Sequence, residues 1–155
     1  MQPIDATATI EIARNAQVVF DYLANYANDP RWRAEIQDVQ LSTPSVRERT
    51  QIMEISFLSK KVPRHVSVLQ CVARQPGRAI TSETAAGSPF WSRNTREVET
   101  LPGDRTRVTY RLQFDPAVVK HGLGFALPRF VVRFYTKATM KKYLAVLKSI
   151  LEGKP

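Results

Sequence analysis

Catalytic chemistry in this sequence could come from only a few side chains, and His65 is the first of them. An imidazole titrates near neutral pH, so it can act as a general base or hold a ligand oxygen. In the run 62–71, His65 alternates in step with Leu69 and Cys71, which would turn it toward the interior. The sequence places no acid partner beside it. His65 is a candidate general base, but a hydrogen-bonded core or rim histidine is the favoured alternative, so no catalytic residue is assigned.

The other reactive residue types predict neither a metal site nor a nucleophile. His121 falls in a predicted loop, and neither histidine has Cys or carboxylate neighbours at metal-ligand spacing. Cys71, the only cysteine, has apolar neighbours and is expected to be an inert buried thiol. Glu97 and Glu99 share a strand face, a spacing that also describes a solvated strand. Because no phosphate loop, nucleophile elbow or dinucleotide fingerprint occurs, no cofactor is predicted.

These side chains must be positioned by short strands, two short helices and one long helix. Residues 7–12 predict a strand, Asn15 caps a helix over 16–25, and Pro30 begins a second helical turn. Six further strands are predicted at 36–41, 51–57, 62–71, 78–84, 91–99 and 106–114. From about 128 to 151, apolar residues recur at three- and four-residue spacings, which predicts a long amphipathic helix.

Alternation along the strands predicts an antiparallel sheet with one apolar face and one wet face. On the last strand the apolar residues of one parity are Val108, Tyr110, Leu112 and Phe114. On the strand 51–57, the same reasoning turns Met53, Ile55 and Phe57 inward and leaves Glu54 and Ser56 facing water.

The net charge of +9 is confined to the last third of the chain. Residues 1–104 carry 12 Lys and Arg and 12 Asp and Glu, whereas residues 105–155 carry 11 basic and two acidic side chains. In the predicted long helix, Arg129, Arg133, Lys137 and Lys141 follow at spacings of four and form a gently winding basic stripe. Such a stripe suits an anionic membrane surface, although a solvated outer face is the commoner reason for this pattern. Nucleic-acid binding is not favoured, because the stripe has no interleaved exposed aromatics or reading motif.

Several short motifs resemble the START-like superfamily, which includes polyketide cyclase/dehydrase-like (SRPBCC) proteins and lipid-transfer domains. They are IEI at 10–12, VFDYL at 19–23, NDPRW at 28–32 and the hairpin sequence PGDRTRVTY at 102–110. The order of strand, two short helices, six strands and long helix is similar to that family over nearly the whole chain. The motifs are mostly structural, so they support a fold rather than an activity.

The resemblance implies an α+β helix-grip fold, in which a seven-stranded curved antiparallel sheet wraps around the long C-terminal helix. It also implies an apolar cavity between sheet and helix, with Gly122 and Gly124 near a gate at its mouth. A filled two-layer core is the alternative, and Trp32 could equally be a cavity wall or a plug of the core. The expected ligand-binding residues are Trp32, Met53, Ile55, Phe57, His65, Leu69, Tyr110, Leu112, Phe114, Phe130 and Phe134.

Three functions are compatible with this fold. The leading hypothesis is binding or transport of a small hydrophobic ligand such as a lipid, isoprenoid, steroid or polyketide. The alternative is a polyketide cyclase or dehydratase that uses the same cavity, with His65 as the first candidate. The third is an interaction module that docks on an acidic partner through the basic helix. Without a signal sequence or apolar span, residues 1–155 are expected to form one cytoplasmic domain; the oligomeric state is not predicted.

Overall fold

A single antiparallel sheet of seven strands dominates the computed structural model, which describes residues 2–153. The strands are β1 (Ile4–Ile12), β2 (Ile36–Leu41), β3 (Gln51–Ser56), β4 (His65–Gln75), β5 (Ala79–Thr84), β6 (Ser92–Leu101) and β7 (Arg105–Phe114). Their order across the sheet is β1-β7-β6-β5-β4-β3-β2, so every neighbour except the β1–β7 pair is also consecutive in sequence. The predicted strands are confirmed, with ends that differ by at most four residues. The ends of the predicted domain 1–155, Met1, Lys154 and Pro155, lie outside the described residues.

Within residues 2–153, four α-helices connect to this sheet: α1 (Ala16–Ala24), α2 (Asp29–Trp32), α3 (Ala117–Leu123) and α4 (Arg129–Leu151). A short 3-10 helix, Tyr26–Asn28, lies between α1 and α2. The Asn15 side chain accepts a hydrogen bond from the Val18 amide at 2.9 Å and so caps α1. Pro30 lies in the first turn of α2, where its missing N–H breaks no helical hydrogen bond.

The short helix α3 corrects the sequence prediction of a loop around His121. Its first turn is anchored by Asp115, whose carboxylate accepts a hydrogen bond from the Ala117 amide at 2.9 Å. The helix ends at Gly124, which adopts φ of +85° and whose amide bonds back to the Lys120 carbonyl. Glycine is favoured at such a left-handed cap. Gly122 lies within the helix, so the two glycines do not mark one continuous loop.

The long helix α4 packs along the concave face of the sheet and confirms the helix-grip arrangement. The inward side of its C-terminal half carries the buried residues Met140, Leu144, Leu147 and Leu151. These meet core side chains of β1 and β7, among them Ile12 and Val108. In the N-terminal half of α4 only Val132 is buried, which leaves space between that half and the sheet.

Candidate functional site

The space beside the N-terminal half of α4 is an apolar cleft of about 760 Å³. Its walls come from the end of β7, the segment after β3, and the two helices α3 and α4. Most of the wall is hydrophobic: Phe57, Leu58, Leu112, Phe114, Val118, Val119, Leu123, Leu127, Val131, Val132, Tyr135, Met140 and Tyr143. A volume of this size lies within the range of small-molecule sites.

A smaller polar recess of about 140 Å³ adjoins the cleft. The two spaces share wall residues, including Glu35, Leu112 and Phe114, so they lie side by side. The polar side chains of the recess are Arg33, Glu35, Glu54, Ser56, His65, Ser67 and Ser92. The site therefore combines a long apolar wall with one polar end.

The recess is bordered by a cluster of three rings from three different segments. His65 begins β4, Phe90 precedes β6 and His121 lies on α3. The ring centroids of His65 and His121 are 5.9 Å apart, and those of Phe90 and His121 are 5.0 Å apart. Burial lowers the pKa of His65, and the neighbouring His121 lowers it further. The lowered pKa favours the neutral imidazole of His65, which has one N–H donor and one acceptor nitrogen.

Glu35, in the segment between α2 and β2, is a second group with a shifted pKa beside His65. It lines both the cleft and the recess. Burial raises the pKa of its carboxyl, against the opposing effect of the Arg33 guanidinium. Its Oε2 atom is buried and has no hydrogen-bond partner among residues 2–153, and the same holds for Nε of Arg33. Both groups line the recess, so a bound molecule could satisfy them.

A buried network of ion pairs begins at Arg33 and Glu54 in the wall of the recess and extends into the core. Nη1 of Arg33 lies 2.7 Å from the Glu54 carboxylate and 3.0 Å from that of Asp29. Asp29 in turn pairs with Arg96 on β6 at 2.5 Å. The Arg96 guanidinium also donates to the Leu23 carbonyl at 2.7 Å and lies over the Tyr26 ring at 4.0 Å. These contacts compensate charges that would be costly to bury alone.

The structure brings four of the expected ligand-binding residues to the cleft and its recess. Phe57, Leu112 and Phe114 lie in the cleft wall, and His65 lies in the recess. The other seven lie elsewhere, for three different reasons.

Trp32, Leu69 and Tyr110 are buried in packed core rather than in the cleft wall. The rings of Trp32 and Tyr110 meet edge to face with centroids 5.6 Å apart, and Arg96 lies over the Trp32 ring at 4.9 Å. Trp32 therefore packs in the core and does not form a wall of the cleft.

Met53 and Ile55 lie on the opposite sheet face from the one predicted. The β3–β4 register pairs Glu54 with Ser67 and Ser56 with His65, and directly paired residues share a face. Glu54 and Ser56 therefore point inward, which corrects their assignment to water. The reason is the buried Arg33, which gives the Glu54 carboxylate a partner that the apolar pattern of β3 does not reveal.

Phe130 and Phe134 on α4 are exposed rather than in the cleft. The helical pattern groups them with the apolar stripe, but in this part of α4 only Val132 is buried. The wall positions on that helix are taken by Val131, Tyr135 and Thr139.

Sequence reasoning missed Glu35 and the Asp29–Arg96 network. The NDPRW motif contains Asp29 but predicts only the start of a helix, and the predicted strand 91–99 gives Arg96 no special role. The one available signal is parity, because Arg96 alternates in step with Val98, a core residue.

Residues 2–153 contain no group of three or more His, Cys, Asp or Glu side chains arranged to hold a metal ion. Among the helices in that range, none combines the length and apolar character that crossing a bilayer requires.

Comparisons with known proteins agree with this geometry. The chain superposes on a START superfamily protein from Mycobacterium smegmatis with a TM-score of 0.75 and 14% identity, covering 96% of this chain and 97% of that one. The Zhui aromatase/cyclase from Streptomyces sp. R1128 gives 0.69 and 15%, covering 97% and 92%. The di-domain aromatase/cyclase StfQ of the steffimycin biosynthetic pathway gives 0.75 and 12%, covering 98% and 51%. A search of curated protein sequences gives no significant match.

A family model adds evidence from the sequence itself. The model described as "Polyketide cyclase / dehydrase and lipid transport" matches residues 3–152. That range contains every strand and helix of the structure, including all the walls of the cleft. The chain therefore belongs to the polyketide cyclase/dehydrase and lipid transport family, with the START-like hydrophobic-ligand-binding fold.

Proposed function

We propose that this protein binds and carries a small amphipathic molecule, with an apolar body and a neutral polar end. The observation that carries the proposal is the cleft of about 760 Å³, which is largely apolar along its wall and polar at one end. Removal of apolar ligand surface from water would supply most of the affinity. The polar recess would fix the orientation.

The charges at the recess favour a carbonyl or hydroxyl group over a carboxylate on the ligand. Glu35 and Glu54 both face this end, and Arg33 is already engaged with Glu54 and Asp29. A ligand carboxylate would lie close to two acidic side chains without a free cation to balance it. A neutral oxygen could instead accept a hydrogen bond from the unpartnered Nε of Arg33.

Binding can be tested with a neutral fluorescent hydrophobic probe such as N-phenyl-1-naphthylamine, together with solvent extraction of the purified protein. Thr139→Trp would place a large ring in the cleft wall, and Ala145→Trp adds the same ring on the exposed side of α4. We expect T139W to weaken probe binding at least about tenfold, while A145W leaves it unchanged. Equal binding by both variants, or no binding by the wild type, would contradict the proposal.

A second candidate is cyclisation or dehydration of a polyketide, and the pair Glu35 and His65 favours it. A carboxyl with a raised pKa and a histidine with a lowered pKa both face the recess, and these are the properties of a general acid and a general base. The test substrate is a linear poly-β-ketone thioester, with products identified by mass and absorbance. Glu35→Gln and His65→Gln should each reduce turnover by about a hundredfold or more with little change in probe binding. Unchanged turnover in both would remove this function.

A further inference from the structure

The N-terminal half of α4 and the segment before it expose an unusual number of large aromatic side chains. Phe130 is 77% exposed, Phe134 72%, Tyr135 64% and Phe125 58%. Aromatic side chains normally account for much of a protein's buried area. Four of them exposed within eleven residues form a local patch, and such patches mark interaction surfaces.

The same part of the chain carries only positive charge. Between Pro116 and Leu151 there are seven Lys and Arg residues and no Asp or Glu. Four of these cations, Arg133, Lys137, Lys141 and Lys142, are exposed, and none forms an ion pair with a carboxylate of residues 2–153. Their charges are therefore available to an external partner.

Helical geometry places the aromatic and basic side chains in adjacent rows. Phe130 directly follows Arg129, and Phe134 directly follows Arg133. Residues four apart lie about one turn apart along a helix and differ by only about 40° around its axis, so each set forms a row. The rings of Phe134 and Tyr135 also contact each other, with centroids 6.0 Å apart. The exposed side of α4 thus presents a hydrophobic row flanked by cations.

A groove beside this row gives the cations a concave surface. It has a volume of about 860 Å³ and lies between α4 and the outer face of β1, β6 and β7. Four cations line it, Arg111, Arg129, Arg133 and Lys137. Two carboxylates also line it, Asp5 and Glu97, and Asp5 is already paired with Arg111 at 2.6 Å. The groove is therefore net positive and has room for anionic head groups.

From these observations we infer that α4 docks on an anionic bilayer, with Phe125, Phe130 and Phe134 in the interfacial region and Arg133, Lys137 and Lys141 on lipid phosphates. A partner of this chemistry explains both features together, because an acidic soluble partner would need the cations but not three exposed phenylalanines. A second copy of this chain would bring two positive surfaces together.

Docking in this orientation brings the bilayer close to the mouth of the cleft. Tyr135 belongs to both the exposed aromatic patch and the cleft wall, and Leu127 and Val131 line the cleft within the same part of the chain. A hydrophobic molecule could then pass between bilayer and cleft with little exposure to water. The docking itself does not depend on what the cleft binds.

The test is cosedimentation of the purified protein with large vesicles of phosphatidylcholine alone or mixed with phosphatidylglycerol. We expect binding to the mixed vesicles only, with loss of binding as the salt concentration rises. Arg133→Glu combined with Lys137→Glu should weaken it at least about tenfold. Phe130→Ser combined with Phe134→Ser should also weaken it, although this pair leaves every charge in place.

The matched control is Arg47→Glu combined with Arg78→Glu, which changes the net charge equally. Both residues are exposed at the opposite end of the sheet from the cleft, so their variant should bind vesicles like the wild type. If R47E/R78E lost as much vesicle binding as R133E/K137E, net charge alone would explain the binding, and the proposal would be overturned. So would wild-type binding by F130S/F134S, because the cations alone would then account for attachment to the vesicles. Probe binding in the cleft, measured in parallel, distinguishes failure of docking from failure of the proposed function.

Discussion

The two halves of the space between the sheet and α4 are built from the same elements but behave differently. On β7, Val108 and Tyr110 are buried in the packed half, whereas Leu112 and Phe114 line the open cleft. The helix α4 divides in the same way, between its buried C-terminal half and its cleft-lining N-terminal half.

The two halves differ because the short helices α1 and α2 fill only one of them. They contribute Phe20, Leu23 and Trp32 to the core, and Asp29 ties them to β6 through Arg96. At the other end the covering element is α3, where the described contacts with the β3–β4 segment include the hydrogen bond from the Ser59 hydroxyl to the Gly122 carbonyl. The packed half therefore stabilises the fold, and the open half leaves the space in which the proposed ligand would bind.

The largest difference between the halves should come from removing Asp29. Asp29→Ala leaves the buried guanidinium of Arg96 without its carboxylate partner, which should lower the free energy of unfolding by about 3–5 kcal/mol. Urea denaturation measures this loss. Asp5→Ala, which breaks the exposed pair with Arg111, is the control and should cost less than about 1 kcal/mol. Similar losses in both variants would show that the buried network does not hold the packed half together.

A smaller difference should separate two apolar positions of α4. Leu144 is fully buried, so Leu144→Ala should lower the free energy of unfolding by about 2–5 kcal/mol. Val131 lines the cleft and is only partly buried, so Val131→Ala should cost less than about 1 kcal/mol. Thermal denaturation of the two variants compares them directly. A loss for V131A equal to that for L144A would mean that the cleft is as tightly packed as the core.

The division into halves marks how far the sequence alone could go. The resemblance of the motifs and the element order to the START-like superfamily was enough to predict the helix-grip fold, and the alternation on β7 was enough to predict the inward position of Leu112 and Phe114. Alternation cannot distinguish a side chain in packed core from one in a cavity wall, because both face inward. Tyr110 and Leu112 therefore received the same role although only Leu112 lines the cleft.

The polar part of the site was hidden for a different reason. Arg33, Glu54 and Arg96 lie far apart in the sequence, and each resembles a solvated surface residue when considered alone. Their burial depends on pairing across α2, β3 and β6, which only the folded chain brings about. Glu54 illustrates this. Its ion pair with Arg33 cannot be predicted from the strand pattern, so the two faces of β3 were assigned the wrong way round.

In the open half, ligand affinity should depend on the protonation of Glu35. A bound apolar molecule would remove more water from this carboxyl, whose pKa is already raised by burial, and so would favour its neutral form. Affinity should then fall as the pH rises through the pKa of Glu35, which lies above 4.5. Titration of a neutral hydrophobic probe at several pH values measures this. Glu35→Gln should bind with an affinity that no longer falls over that range; a wild-type affinity independent of pH would contradict the linkage.

The smallest effect expected in the open half is a pH dependence of stability through His65. Its pKa is lowered from 6.5 by burial and by His121, against an opposing effect of Glu54, so between the folded and unfolded pKa values the unfolded chain binds more protons. The contribution of His65 to the free energy of unfolding is therefore complete above about pH 6.5 and is lost as the pH falls through the folded-state pKa.

Urea denaturation at pH 7.5 and at pH 5 measures this contribution. The difference in the free energy of unfolding between the two pH values should be smaller for His65→Gln than for the wild type. His121→Gln should reduce the difference in part, because it removes one cause of the lowered pKa. If H65Q retained the full difference, the loss of stability in acid would have to arise from carboxylates of the packed half.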